Sequence, residues 1–254
     1  MIHHGQCLCG AVDYEVAGPV GGVVVCHCSQ CRTCSGHIWA AVSVPVGQFR
    51  LIHQRGLGWF NATPRAKRGF CRDCGASLFW QEDPGVIFVS AGSLDGPTGL
   101  EMARESFTED AGDYYGMLGR AKPDPGERLT CGCLCGGVRF TVPGPAGAVT
   151  ACHCSQCRRL SGHFAASLDV DETALEYQSR GDLATHGATG GSTRGFCRTC
   201  GSSLWFLARN GGLSVEAGSV HGVTGGYLAS HIHVADKGDY YRLDDGVPQQ
   251  NGAG

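Results

Sequence analysis

Cys152-His153-Cys154-Ser155-Gln156-Cys157-Arg158 repeats, letter for letter, the stretch Cys26-His27-Cys28-Ser29-Gln30-Cys31-Arg32, found 126 residues earlier. Three thiols spaced C-x-C-x-x-C can close on one soft metal ion. Zinc held by three protein ligands keeps an open position, and zinc held by four is closed. Alone, the spacing suits an open site or three corners of an ordinary structural one. The rest of the chain bears on that choice. The same offset carries Cys7 and Cys9 onto Cys133 and Cys135, and Cys71 and Cys74 onto Cys197 and Cys200. A match this long, with no net insertion, is a duplicated domain rather than a solenoid of short repeats.

Around these cysteines the pattern is that of strands. Val12, Tyr14 and Val16 alternate in the first copy, and Val138, Phe140 and Val142 in the second. Period two with β-branched and aromatic residues predicts a strand. Gly18-Pro19 and Gly144-Pro145 end it. Val23–Val25, 38–44, 86–91, 164–168 and 213–217 read as further strands. Neither half carries a long stretch of helical periodicity. Abundant glycine, 41 of 254 residues, favours turns over long helices. The polar, proline-bearing stretch from Arg120 to Arg128 reads as a linker. The expected organisation is a first domain over 1–119, a linker over 120–128, a second domain over 129–246 and a mobile tail over 247–254. Duplication also predicts that the halves pack on each other as a pseudo-dimer.

Composition sets the compartment and excludes some partners. The chain is 42% hydrophobic with net charge −3 and no long basic run, so nothing argues for nucleic acid. No apolar run approaches the ~18 residues of a membrane helix. Met1-Ile2-His3-His4-Gly5 lacks the pattern of a secretory signal. The expectation is a cytoplasmic protein, where thiols stay reduced, so sixteen cysteines point to metal rather than disulfides.

Seven paired thiols per copy divide as four plus three. Cys71-x-x-Cys74-Gly75 and Cys197-x-x-Cys200-Gly201 are zinc knuckles, in which one turn presents two sulfurs and glycine permits the tight backbone. Cys7 with Cys9, and Cys133 with Cys135, complete two closed four-cysteine sites. Cys26, Cys28 and Cys31, and Cys152, Cys154 and Cys157, remain as two open sites, giving four zinc ions per chain. Other partitions stay open on spacing alone, because ligand sets are spatial. Cys34 aligns with Leu160 and reads as a small buried hydrophobe, or else as a fourth ligand of the first triad. Cys131 aligns with Gly5 and reads as a reduced thiol.

Cys-Leu-Cys-Gly-x-Val, Cys-His-Cys-Ser-x-Cys-Arg, Arg-x-Phe-Cys-x-x-Cys-Gly-x-x-Leu and Ala-Gly-Ser-Leu-Asp stand here at 7–12, 26–32, 68–78 and 91–95. The second copy carries them at 133–138, 152–158, 194–204 and, shortened, 217–219. This set resembles the glutathione-dependent formaldehyde-activating enzyme family, also called S-(hydroxymethyl)glutathione synthase or the CENP-V/GFA domain. The resemblance implies a mostly β fold: two tandem β-tent domains of bent antiparallel sheets, each stapled by a four-cysteine zinc site. It implies a second zinc on three cysteines, and a carbon–sulfur lyase or synthase acting on adducts of a small, formaldehyde-like aldehyde with a glutathione-like thiol.

Hemithioacetal formation needs a thiolate, a polarised carbonyl and a proton carrier. Histidine is the usual carrier near neutral pH. His27 and His153 sit inside the triads. His231 and His233 occur only in the second copy, opposite Glu105 and Phe107, and His221 stands opposite Asp95. His37 and His163 read instead as polar residues at a strand edge. Arg32, Arg158, Arg68 and Arg194 are candidates for binding the thiol's carboxylates, with plain surface charge as the other reading. The recurring Asp-Tyr-Tyr at 113–115 and 239–241 is explained by packing. The rival to an enzyme is a zinc-stapled interaction module without turnover, since fold does not fix function. Two intact triads favour the enzyme.

Overall fold

Period-two apolar runs become strands throughout the computed structural model, which describes residues 1–115, 124–187 and 190–253. The first half runs β1 (Ile2–Gln6), β2 (Asp13–Ala17), β3 (Val23–Cys26), helix α1 (Ser29–Ser35), β4 (Trp39–Pro45) and β5 (Phe49–His53). It continues through β6 (Leu57–Asn61), β7 (Lys67–Cys71), β8 (Ser77–Gln81), β9 (Val86–Ser90) and β10 (Met102–Ser106). The second half repeats the order: β11 (Arg128–Gly132), β12 (Val138–Pro143), β13 (Ala148–Cys152), helix α2 (Ser155–Ser161), β14 (Ala165–Val170) and β15 (Glu176–Arg180). Then come β16 (Leu183–Gly187), β17 (Thr193–Cys197), β18 (Ser203–Leu207), β19 (Leu213–Glu216) and β20 (Tyr227–Ile232).

Each half holds a three-stranded and a seven-stranded sheet. The small sheets are ordered β1-β2-β5 and β11-β12-β15. The large ones are β10-β3-β4-β9-β8-β7-β6 and β20-β13-β14-β19-β18-β17-β16. Pairing is antiparallel except at one edge of each large sheet, where β10 lies parallel to β3 and β20 parallel to β13. A parallel neighbour needs a long crossover, and the strands from β4 to β9 supply it in the first half. The architecture is mostly β, in two similar halves, as the sequence predicts.

The helices escape a reading by periodicity because each is only seven residues long. Local chemistry makes them. The Sγ of Cys28 or Cys154 caps the first turn by accepting from the amide of Cys31 or Cys157. Gly36 and Gly162, at φ 88° and 85°, stop them in the left-handed region.

Contacts between the halves come in pairs offset by 126 residues. Gly92 N–H donates to Gly162 O (2.9 Å), and Gly218 N–H to Gly36 O (2.7 Å). Met102 N–H donates to Tyr240 O, and Leu228 N–H to Tyr114 O. The Asp113 carboxylate accepts from the Thr224 amide and hydroxyl and from the Gly225 amide. Asp239 does the same for the Thr98 hydroxyl and the Gly99 amide. Gly75 (φ 79°) faces Phe196, and Gly201 (φ 76°) faces Phe70. A Cβ on either would lie within 2.6 Å of the ring opposite. The core follows this exchange: Leu160, Phe164, Tyr240 and Tyr241 pack in the cluster built on the first half. Tyr114 packs in that of the second.

Residues 120–123 of the expected linker lie outside the described residues, and Arg128, its last, opens β11. The tail is wired where composition predicts mobility. His231 N–H donates to Pro248 O, Gln250 N–H to His231 O and His233 N–H to Gly252 O, so the tail runs beside β20.

Candidate metal centres and reaction cavity

The turns that join β1 to β2 and β7 to β8 bring Cys7, Cys9, Cys71 and Cys74 together, with all four sulfurs within 4.8 Å of one another. Cys133, Cys135, Cys197 and Cys200 form the matching group. Sulfur separations are 3.6 Å for Cys7–Cys9, 3.7 Å for Cys9–Cys71, 3.5 Å for Cys133–Cys135 and 3.6 Å for Cys135–Cys197. A tetrahedral ion with metal–sulfur bonds of about 2.3 Å needs sulfurs about 3.8 Å apart. The donor sets therefore fit such an ion. Amides of Val12 and Val138 donate to Cys7 Sγ (3.3 Å) and Cys133 Sγ (3.2 Å), which favours the thiolates.

The triads Cys26/Cys28/Cys31 and Cys152/Cys154/Cys157 also gather their sulfurs within 4.8 Å. Each spans the end of a strand and the first turn of a helix. Neither group includes a fourth ligand among the described residues. Hydrogen bonds from Cys152 and Cys157 hold Cys154 far below the ordinary thiol range. Arg68 and Arg194 are buried and donate to Cys31 Sγ (3.3 Å) and Cys157 Sγ (3.5 Å). Their guanidinium carbons lie 4.7 Å from the Trp80 ring and 4.8 Å from the Phe206 ring. Both arginines thus face sulfur and an aromatic ring rather than open solvent. Arg32 and Arg158 are tied through Nε to His27 O (3.3 Å) and Asp236 O (2.9 Å).

The histidines divide into two sets. His37 and His163 are buried with Nδ1 bonded to Tyr114 OH and Tyr240 OH, and burial pushes both well below the usual range. The strand-edge reading of these two misses their depth. His27 bonds Tyr115 OH through Nδ1 (3.1 Å), while its Nε2 stands 3.8 Å from Glu105. His153 begins a longer chain. Its Nδ1 meets Tyr241 OH (2.7 Å) and its Nε2 meets His231 Nδ1 (2.9 Å); His231 Nε2 reaches Asp245 (2.8 Å). An Asp245 carboxylate accepts only, which makes His231 Nε2 a donor, and in a neutral His231 ring Nδ1 is then an acceptor. His153 must then donate from Nε2 and accept the tyrosine proton at Nδ1. Burial holds His153 down at about 3, so it stays neutral. The chain runs behind the triad toward solvent at Asp245.

Beside the second triad is a cavity of about 750 Å³. Its floor is one face of the seven-stranded sheet: Cys152, Ala165, Ser167, Ser214, Glu216 and Arg194 all line it. Cross-strand pairs share a face. Cys152 pairs with Ala165, Ser167 with Glu216, and Arg194 with Phe206, so these side chains converge. His233 lines the rim, at φ 55°, as does Gln250 of the tail. His231 is 1% exposed and does not line the cavity.

The first triad has other surroundings. Trp39 stands where the second half has Ala165, Phe88 where it has Ser214, Ala41 where it has Ser167 and Ser90 where it has Glu216. Trp39, only 5% exposed, joins Cys31 and Ala41 in a buried cluster, with Cys26, Cys28, Trp80 and Phe88 packed on it. The aromatic rings occupy the side of the triad that is hollow in the second half. Sequence reasoning passed over Trp39 and Glu216, although both stand out when the copies are laid side by side at the 126-residue offset. Cys34 is not part of the triad group. It is buried beside Ser202 of the other half (3.9 Å), and burial pushes its thiol up to about 12. Cys131 is buried in the second core and is likewise pushed up to about 12 by burial.

Among the described residues no helix is long and apolar enough to cross a membrane. Comparison with known proteins adds the following. A profile of the glutathione-dependent formaldehyde-activating enzymes matches residues 2–110 and again 128–241. An uncharacterized lyase of Schizosaccharomyces pombe is 24% identical over 115 residues, which is 44% of this chain and 83% of that protein. A crystal structure of a Rhodobacter sphaeroides protein is 29% identical and covers 42% of this chain and all of that one, with a TM-score of 0.35.

Proposed function

Because the chain belongs to the glutathione-dependent formaldehyde-activating enzyme family, we propose that it is a zinc-dependent carbon–sulfur lyase that joins or splits a formaldehyde-like aldehyde and a glutathione-like thiol. The observation that carries this reading is the cavity of about 750 Å³ against Cys152, Cys154 and Cys157. Zinc, when bound by these three cysteines, supplies a Lewis acid and a soft site for sulfur. Cys7, Cys9, Cys71 and Cys74, with Cys133, Cys135, Cys197 and Cys200, hold structural zinc in this reading, for four ions per chain.

The chain's own residues do the rest. Arg194 balances charge at Cys157. His233, at the rim, is placed for an anionic end of the thiol, whereas Arg158, tied to Asp236 O, does not line the cavity. His153 and His231 fix the triad from behind through the bond to Asp245. The first triad, under Trp39, holds zinc without turnover, which is the form in which the non-catalytic reading survives. We further read the halves as a fused pseudo-dimer divided near 120–128 and placed in the cytoplasm, and we assign it no nucleic-acid partner.

The test is two-dimensional exchange NMR of glutathione with formaldehyde, with and without protein as purified. Exchange should rise above the buffer rate, Cys154→Ser should lose most of the gain, and Cys28→Ser should keep most of it. A wild-type rate equal to buffer refutes the activity. Equal losses in the two variants would make the sites equivalent and remove the role given to Trp39.

A further inference from the structure

Glu216 has no task in the account above, although its carboxyl lies against Gly36 of the first half. It ends β19 and pairs across the sheet with Ser167, on the same floor as the Cys152–Ala165 pair. Only 3% of the residue is exposed. Oε1 accepts from Ser203 Oγ at 3.3 Å, and Oε2 is buried without a hydrogen-bond partner among the described residues. A buried carboxyl with one oxygen unmet is costly, the more so if charged. The other copy avoids it with Ser90 at this position. A polar group kept where a serine would do is placed for something that enters the cavity.

We propose that Glu216 exchanges a proton with the oxygen of a thiol–aldehyde adduct bound over the second cysteine triad. The proposal rests on the lyase reading and names the group that the reading leaves out. In the joining direction the thiol S–H gives its proton to the Glu216 carboxylate. The thiolate sulfur bonds the aldehyde carbon, and the C=O π pair moves onto oxygen. That oxygen takes the proton from Glu216. Thiol plus aldehyde gives the hemithioacetal, with nothing oxidised or reduced and the carboxyl returned to its first state. Splitting runs the same steps backward. Ser203 holds Oε1 and Oε2 lies against Gly36 of the first half, so the exchange needs the carboxyl to turn toward the cavity that Glu216 lines.

The environment suits the exchange. Burial raises the Glu216 carboxyl, while Arg194 on β17 and the Ser203 hydroxyl on β18 hold the rise to about 7. Tyr114 is the other titratable group felt at this position, and burial keeps it neutral. A carrier balanced near neutral pH serves both directions. Of the second half's candidate histidines, His231 faces away from the cavity into its bond with Asp245, His153 is committed at both nitrogens, and His233 stands at the rim rather than on the sheet floor.

The experiment uses the full chain as purified, with glutathione and formaldehyde as probes. Glu216→Gln keeps the shape and removes the exchangeable carboxyl. It should lower the NMR exchange rate by about 10²–10⁴-fold, with zinc content and thermal midpoint unchanged. Glu216→Ser, which copies the first half, should lose as much and regain part of it on adding formate, a rescue that a packing role would not give. A second readout needs no turnover: the Glu216 carboxyl ¹³C resonance of the wild type should move when both probes are added. Wild-type exchange in Glu216→Gln overturns the proposal, and so does a resonance indifferent to the probes. If the wild type is no faster than buffer while the resonance moves, the lyase reading fails and Glu216 stands as a ligand contact.

Discussion

Asp113→Ala should separate a fused pseudo-dimer from two domains joined by a linker. Asp113 is 4% exposed and belongs to the first half, yet its carboxylate serves three donors of the second: the Thr224 amide at 2.9 Å, the Thr224 hydroxyl at 2.9 Å and the Gly225 amide at 2.8 Å. Hydrogen bonds to a charged group contribute about 1.5–3 kcal/mol each, and they are not additive. Losing the carboxylate also leaves a buried amide and hydroxyl unmet. About 3–5 kcal/mol is the resulting expectation. The mirror change, Asp239→Ala, removes bonds of 2.7 Å to the Thr98 hydroxyl and the Gly99 amide, but Asp239 is exposed and water can replace it. About 1 kcal/mol is expected there. Urea unfolding at fixed pH measures both, as a shift of midpoint at constant slope. In heat, a 3–5 kcal/mol loss amounts to a fall of roughly 6–20 °C for a chain of this size. Equal small losses, under ~1 kcal/mol for both, would refute the view that these cross-half bonds hold the molecule together.

Three other outcomes are expected. Cys74→Ser or Cys200→Ser should drop bound zinc and the thermal midpoint together, since structural zinc binding is coupled to folding, whereas Cys28→Ser and Cys154→Ser should lose zinc with the fold retained. Elemental analysis paired with calorimetry checks this. Ala165→Trp should abolish exchange by filling the cavity, while Trp39→Ala should destabilise by about 3–5 kcal/mol and open space at the first triad, read by NMR exchange and urea unfolding. Burial works against ionised Asp239, but bonds from Thr98 and Gly99 outweigh it and hold the carboxyl below the ordinary range. Its stabilisation is present above an unfolded value of about 4 and is lost as pH falls through the lower folded value, so Asp239→Asn should flatten the acid limb of a stability–pH curve.

The β class was readable because Tyr14, Val16, Phe140 and Val142 alternate cleanly, and the grouping of sulfurs because C-x-x-C-Gly leaves few geometries for its backbone. The helices were not readable. Two turns between Ser29 and Ser35 are too short for a 3.6-residue period, and the group that starts them is a cysteine sulfur, which no capping rule would pick. The bonds of the tail were not readable for a related reason. Pro-Gln-Gln-Asn-Gly is the composition of a loose end, and only the open edge of β20 gives it partners. The cavity was harder still. It is made by Ala165 and Ser214, residues that carry no chemistry of their own, and it is recognised only against Trp39 and Phe88 at the same positions. His231 and His233, two residues apart, would share a face of one strand, but β20 ends at Ile232 and His233 turns at φ 55°, which leaves one in the relay and one at the rim.

The reciprocal bonds between halves carry an evolutionary consequence. In a homodimer every substitution appears at both sites at once, so a residue that suits one role but spoils another is rejected twice. A single gene for both copies removes that constraint. Tryptophan at position 39 and alanine at position 165 are a pair that no symmetric ancestor could have encoded, and the same holds for serine at 90 with glutamate at 216. On the proposed reading, one copy was free to become support once the other kept the open site, and the joint that Asp113 and Asp239 make allows that support to be inherited with it.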